Sequence, residues 1–437
     1  MTKNNNKHVQ KSIKSNTNVI KVSDSSSALA IQGGKSLLAL TDNIISSALL
    51  ARKSSQLATD ESWMEKIWAW ADELEVSEES IPRNREALLT LTRLDLCATR
   101  YAEDFFPGSL YKRPHVPDEL TYLTNLIEFS VDGFELGDSL ENIGRLSNLT
   151  KLSIVCCDIN RLPDSIGKLS DMTMFVLDTI KVRLLPDSIR RLKNLTIIVL
   201  KYNELEVLPE WIGELGNLTE LTIDSNNLEF LPYSIGQLSN LEWLSVKGNK
   251  LVELPNSISK LSNLTHLSVG YNKIAGLSNN ICELSNLTEL DATENELESL
   301  PESISRLRNL TGLYINYNKI IFLPNNIGQL SNLITLAVSN NKIRNLPESI
   351  RNLHNLTELY ACNNQLTELP EWIGQLHGLI ELEVNDNEIK FLPESISQLS
   401  NLKELYAYNN KISTLPNNFD KLSNLTTLWV MTSPKYN

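Results

Sequence analysis

The chain has 437 residues, 41% of them hydrophobic, and a formal charge of −13 from 40 basic and 53 acidic side chains. No run of 18 apolar residues occurs, which argues against a membrane-spanning helix, and an acidic chain suits nucleic acid poorly because phosphate contacts need Lys and Arg. Five cysteines, Cys97, Cys156, Cys157, Cys282 and Cys362, are too few and too scattered for a disulfide framework, so a reducing compartment is expected.

The charge is uneven. Residues 1–60 carry eight Lys/Arg and three Asp, or +5, which leaves −18 on residues 61–437. Residues 1–57 are rich in Ser, Asn and Lys and read as a disordered tail, with a short helix around Ser36–Ala51. The tail lacks the continuous apolar stretch of a Sec-type signal. Its first 20 residues contain no acid and are compatible with a type III or type IV secretion signal. Gly33-Gly34-Lys35-Ser36 matches the end of a phosphate-binding loop, but Leu29 stands where that motif needs Gly and no strand precedes it. No nucleotide site is expected there.

Thr59-Asp60-Glu61 reads as a helix start, with a capping residue and acids in the first turn. Trp63, Met64, Ile67, Trp68, Ala71 and Leu74 follow helical spacing. Ile81-Pro82-Arg83 reads as the start of a second helical turn, because Pro is tolerated at a first helical position. Residues 58–90 are therefore read as a helical cap over the apolar end of a repeat array.

The array occupies residues 91–432. Leu91, Leu94 and Leu96 open it, and Leu126 opens the next copy after an insertion in which "FFPGSLYKRPHVP" reads as a loop. From Leu126 the period is 23 residues, through Leu149 and Met172 to Leu402, with a partial copy at Leu425 and a tail at 433–437. The pattern is L-x-x-L-x-L-x-x-N-x-L-x-x-L-P-x-x-I-x-x-L-x-x. Its first six places alternate, as a strand with one buried face does. Asn fills the ninth place in ten consecutive copies: Asn203, Asn226, Asn249, Asn272, Asn295, Asn318, Asn341, Asn364, Asn387 and Asn410. A buried amide must satisfy donors and an acceptor, so a ladder bonded to backbone turns is expected. Pro then turns the chain into a short convex helix or turn. One copy cannot bury its own leucines but a stack can, which predicts an α/β solenoid whose strands form one parallel sheet on the concave face. At ~4.8 Å per strand, fourteen or fifteen copies span roughly 70 Å. Asn-Leu-Thr, a glycosylation acceptor pattern, recurs at one phase of the repeat (Asn148, Asn194, Asn217, Asn263, Asn286, Asn309, Asn355 and Asn424), which favours a structural reading.

This pattern resembles the leucine-rich-repeat superfamily, in the 23-residue class with an L-P-x-x-I-x-x-L second half. It is similar to the Ras-group and plant intracellular leucine-rich-repeat scaffolds and to repeat proteins of host-associated bacteria. The resemblance covers about Leu91–Trp429. It implies a horseshoe that binds proteins on its concave sheet. It does not imply the ligase activity of the bacterial effectors that carry a helical catalytic domain after their repeats.

If the shared letters make the fold, the variable ones carry function. Places three, five, seven and eight are expected to face the concavity. Before Leu287 they are mixed, with Lys151, Lys201, Lys247 and Trp243 among small residues. From Leu287 they hold the acids Glu289, Asp291, Glu294, Glu358, Glu381, Glu383, Asp386 and Glu404 and the aromatics Tyr314, Tyr317, Tyr360, Tyr406, Tyr408 and Trp429, with no Lys or Arg. Exposed rings among acids favour a partner-binding face over a plainly solvated one. Lys319, Lys342 and Lys411 lie beside the ladder Asn and are expected to offset part of this charge.

The five histidines, His8, His115, His266, His354 and His377, are scattered, and no metal-ligand spacing, triad or phosphate loop is present. The expected function is therefore non-enzymatic, without metal or cofactor. It is a scaffold that grips a basic protein, in the cytoplasm or exported by a bacterium into a host cytosol. The alternative is an assembly protein that forms a homodimer through the edge of its last strand, since an uncovered parallel edge is a pairing liability.

Overall fold

The computed structural model describes residues 62–98, 113–159 and 161–430. The expected Ser36–Ala51 helix, the capping residues Thr59 and Asp60 and the C-terminal tail lie outside them.

Fifteen strands form one parallel sheet whose order follows the sequence. The first four have five residues: β1 (Arg93–Cys97), β2 (Glu128–Asp132), β3 (Lys151–Val155) and β4 (Met174–Asp178). The rest have three: β5 (Ile197–Val199), β6 (Glu220–Thr222), β7 (Trp243–Ser245), β8 (His266–Ser268), β9 (Glu289–Asp291), β10 (Gly312–Tyr314), β11 (Thr335–Ala337), β12 (Glu358–Tyr360), β13 (Glu381–Glu383), β14 (Glu404–Tyr406) and β15 (Thr427–Trp429). Equivalent places pair in register, so Glu358 lies beside Glu381 and Tyr360 beside Glu383. Each functional place thus becomes a row across the sheet.

The inward leucines of places one, four, eleven, fourteen and twenty-one are buried in copy after copy, as are the apolar residues of place six and the Ile of place eighteen. Polar ladders tie the copies together. The Asn341 amide donates to the carbonyl of Ile315 in the preceding copy (2.9 Å) and to Val338 and Ser339 in its own, while its oxygen accepts from the N–H of Ile320 (3.0 Å). Asn226 to Asn410 repeat this arrangement. Where Cys157 replaces Asn, its thiol still faces the equivalent carbonyl, that of Val131, and burial pushes it up to about 11. The Asn-Leu-Thr pattern belongs to two further ladders. Asn263 and Asn286 donate to Ser239 and Ser262 carbonyls (2.9 and 2.8 Å), and Thr288 and Thr311 hydroxyls donate to Thr265 and Thr288 carbonyls (both 2.9 Å).

The eighth place has a left-handed backbone in every copy from Gly133 to Asn409, with φ between 49° and 83°. It ends the strand and starts the turn that presents the ladder Asn. Gly133, Gly248, Asn340, Asn363, Asp386 and Asn409 suit such a backbone. Tyr202, Tyr271 and Tyr317 do not.

On the convex side each copy makes a single 3-10 turn, such as Glu371–Gln375 after Pro370. Five residues between Pro370 and Leu376 leave room for one tight turn and no α-helix.

N-terminal to the sheet lie α1 (Ser62–Glu73) and α2 (Arg85–Leu89). Met64, Ile67 and Ala71 are buried. Trp68 and Trp70 donate from their indole nitrogens to the carbonyls of Pro82 (2.9 Å) and His115 (2.6 Å). The second helix does not begin at Ile81-Pro82-Arg83. Asn84 is its cap, with an extended backbone and a side-chain oxygen that accepts from the Ala87 N–H (2.8 Å), and the buried Ile81 anchors the segment before it.

Candidate partner-binding surface

The outward rows differ from strand to strand. In β2 to β8 the basic side chains find acids within the sheet. Lys151 meets Glu128 at 2.7 Å, Lys201 meets Asp224 at 3.9 Å, and Lys247 meets Asp291 at 3.9 Å. Lys247 also lies over the ring of Tyr271 (4.8 Å), Trp243 stacks on His266 (4.5 Å between centroids), and His266 Nε2 is 3.8 Å from Glu289. Glu289 and Asp291, grouped by sequence with the later acids, therefore belong to a mixed-charge group in the middle of the sheet. The Asp291 carboxylate also accepts from its own turn, at the Thr293 N–H (3.0 Å).

Six residues of β12 to β14 do come together: Glu358, Tyr360, Glu381, Glu383, Glu404 and Tyr406. The Tyr360 hydroxyl donates to Glu381 at 2.8 Å, and the Tyr406 hydroxyl donates to Glu404 at 2.7 Å. Glu358 accepts from the Thr335 hydroxyl at 2.9 Å. Among the described residues, none of these four glutamates has a Lys, Arg or His within ion-pair distance. Burial, followed by repulsion from Glu381 and Glu404, pushes the Glu383 carboxyl up to about 7. Burial also raises Glu381, opposed by the hydrogen bond from Tyr360. The Tyr406 hydroxyl is held well above its ordinary range by its bond to Glu404, and that of Tyr360 by burial and its bond to Glu381. The cluster is thus a partly desolvated, uncompensated negative surface with its tyrosines held in place.

The other sequence-predicted residues sit around it. Tyr314 lies across Gly312, where an added Cβ would be 2.8 Å from the ring. Glu294, Tyr317 and Asp386 occupy the left-handed eighth place, on the rim where the strand turns. Asp386 is held by the amides of Asn385 (2.6 Å) and Asn409 (2.8 Å). Tyr408 and Trp429 meet edge to face at 6.2 Å beside the last strand. Of the rim lysines, Lys319 and Lys411 pair with Glu296 (2.9 Å) and Glu388 (3.1 Å) at their own place in the preceding copy. They compensate those rim acids and leave the concave glutamates alone. Sequence reasoning passed over the flank, where Leu184, Val207 and Phe230 take one place in consecutive copies and are all exposed. Their spacing of 23 was a signal available without coordinates.

No helix among the described residues is long and apolar enough to cross a membrane. Residues 181–228, 216–274, 262–320 and 308–366 match the family model described as Leucine rich repeat, and residues 401–422 match a second model of the same description. A search of curated proteins returned no match. Among solved structures, a leucine-rich-repeat protein of Leptospira interrogans is 30% identical with a TM-score of 0.55. That likeness covers 79% of this chain and 98% of that one. An internalin of Listeria monocytogenes is 23% identical with a TM-score of 0.61, over 71% of this chain and 88% of that one. The plant peptide hormone receptor RGFR1, in complex with RGF2, is 22% identical with a TM-score of 0.55, over 74% of this chain and 66% of that one. The last two likenesses speak to the fold alone. The repeat, the parallel sheet and these matches together place the chain in the leucine-rich-repeat family.

Proposed function

We propose that the protein is a non-enzymatic interaction scaffold that binds a basic protein surface on the concave face of its second half. One observation carries this reading. Glu358, Glu381, Glu383 and Glu404 crowd together with no cation in ion-pair distance among the described residues, while the first half pairs its concave lysines with its own acids. Packing four carboxylates this way costs free energy in the isolated chain, and a partner's Lys or Arg would relieve it. Tyr360 and Tyr406 add rigid contact area beside the charges. The reading is tested with immobilised wild-type protein and a variant carrying Tyr360→Ala, Tyr406→Ala and Glu383→Ala. The variant is expected to keep its circular dichroism and melt cooperatively while losing the captured partner. Undiminished capture by the folded variant would sink the reading.

Export into a host cell is part of the proposal, supported by the acid-free first 20 residues. A reporter fused to residues 1–60 should be translocated by a type III or type IV system; a reporter retained in the bacterium removes this part.

A second reading rests on β15. Leu428 stands at a place that is fully buried in the copies before it, yet it is 42% exposed, and Trp429 beside it is 61% exposed. A second copy meeting this edge would cover both. Light scattering decides: a dimer that Leu428→Asp dissociates supports it, and a monomer at all concentrations removes it.

A further inference from the structure

The first half of the concave face carries an aliphatic floor. At the outward third and fifth places, β4 and β5 present Met174, Val176, Ile197 and Val199, all partly exposed. Register sets Met174 beside Ile197 and Val176 beside Val199, so the four are contiguous. Among the described strands, only these two carry Val, Ile, Leu or Met at those places. On the next strand, β6, the third place is Glu220, and on β7 it is Trp243. Neighbouring strands are ~4.8 Å apart, so this carboxylate stands between the Ile197 side chain and the indole. One face of the indole is covered by His266 of β8, with 4.5 Å between ring centroids. The other is turned toward β6, and Trp243 is 36% exposed. Among the described residues Glu220 has no cation within ion-pair distance, although Lys201 and Lys247 each meet an aspartate on the same face.

An aliphatic floor, an unpaired carboxylate and an open indole face thus adjoin one another, and together they select the occupant. An entirely apolar partner would strip water from Glu220 and leave it without a counter-charge. A polar cation alone would leave the floor uncovered. Arginine answers the carboxylate and the indole together, because its planar guanidinium pairs with a carboxylate through two N–H groups and stacks on an aromatic ring. Its methylenes, with an aliphatic residue next to it, lie on the floor. Lysine brings the charge but not the plane.

We propose that β4 to β7 form a docking site for an arginine flanked by large aliphatic residues on a partner protein. The guanidinium sits on Glu220 against Trp243, and the aliphatic residues cover Met174, Val176, Ile197 and Val199. Glu220 on β6 is six to eight strands from the glutamates of β12 to β14, so this site does not rest on the acidic patch. It adds an apolar requirement that a surface of carboxylates does not impose.

Fluorescence anisotropy on the full chain tests it with four labelled Gly/Ser peptides that differ only at their centre: Leu-Leu-Arg, Leu-Leu-Lys, Leu-Leu-Gln or Ser-Ser-Arg. The Leu-Leu-Arg peptide is expected to bind at least ~10-fold more tightly than the Gln and Ser-Ser-Arg peptides, and more tightly than the Lys peptide. Glu220→Gln should erase the preference for Arg over Gln. Val176→Ser with Ile197→Ser, folded by circular dichroism, should erase the preference for Leu over Ser. Glu358→Lys with Glu381→Lys should leave both preferences in place. Preferences that survive the first two variants and vanish in the third would put the peptides on the acidic patch; that overturns this site and leaves the concave-face reading standing. Equal affinity for the Arg and Gln peptides, or no binding of the Leu-Leu-Arg peptide at low ionic strength, also overturns it.

Discussion

Glu383 is a carboxyl half-buried between Glu381 and Glu404 on neighbouring strands, pushed up to about 7. A raised carboxyl value in the folded state means that the native chain holds its proton to higher pH than the unfolded chain does. Stability is then fully present below the ordinary carboxylate range and is lost as pH rises through about 7. Glu383→Gln should therefore leave the melting temperature nearly unchanged at about pH 5 and raise it at about pH 8. Equal shifts at both values would show that Glu383 is not under strain from its neighbours. Strain of another kind sits at the eighth place. Tyr317 holds φ at 53° and is exposed, where Gly or Asn would avoid a cost of roughly 1–2 kcal/mol. Tyr317→Gly should stabilise the fold by about 1 kcal/mol in denaturant titration. The sequence shows which residues fill this place but not its backbone. Alternation predicts side-chain direction only while the strand lasts, and here it stops at place five from β5 onward.

The repeating element was legible because its determinants are local and recur. A leucine at each inward place, Asn at the ninth and Pro before the convex turn are each enough to place themselves. The ladder makes a definite prediction. Asn318 donates to the Ala292 carbonyl (3.0 Å) and accepts from the Leu297 N–H (2.9 Å), both in the preceding copy. Asn318→Ala leaves buried backbone groups unpaired and should cost about 2–3 kcal/mol, measured by the shift in denaturant midpoint. The packing of neighbouring convex turns was not legible. Gly at the nineteenth place meets Ser at the seventeenth place of the next copy, as Gly167 meets Ser188 and Gly374 meets Ser395. Where Arg190 and Arg351 replace that Gly, the next copy carries Trp211 and Trp372. The pairing runs between copies, so a consensus that aligns each copy on itself averages it away. On Gly328 an added Cβ would overlap the Ser349 carbonyl, whereas on Gly216 it would meet nothing within 4 Å. Gly328→Ala should destabilise by about 1–3 kcal/mol, and Gly216→Ala should be neutral or slightly stabilising.

Over the whole molecule the fold is uniform and the surface is not. The change of character read from sequence at Leu287 falls, in three dimensions, nearer β12. Asp291 and Glu289 lie beside Lys247 and His266 from the strands before them, whereas Glu358, Glu381, Glu383 and Glu404 crowd together with no Lys, Arg or His in ion-pair distance among the described residues. A list of outward places cannot show this, because the compensating cation comes from a strand one or two copies away. The same limit hid the pairing of Lys319 and Lys411 with rim acids. This concave patch, and not the acidity of the chain as a whole, is proposed to select a basic partner. Two variants of equal net charge separate the two. One carries Glu358→Lys, Glu381→Lys and Glu404→Lys on the concave sheet; the other carries Glu302→Lys, Glu348→Lys and Glu371→Lys on the exposed convex turns. The decisive measurement is quantitative mass spectrometry of the proteins retained by each variant and by the wild type. Loss of a basic partner from the concave variant, with its full retention by the convex one, is the predicted result. Equal loss from both, or retention by both, would contradict the account.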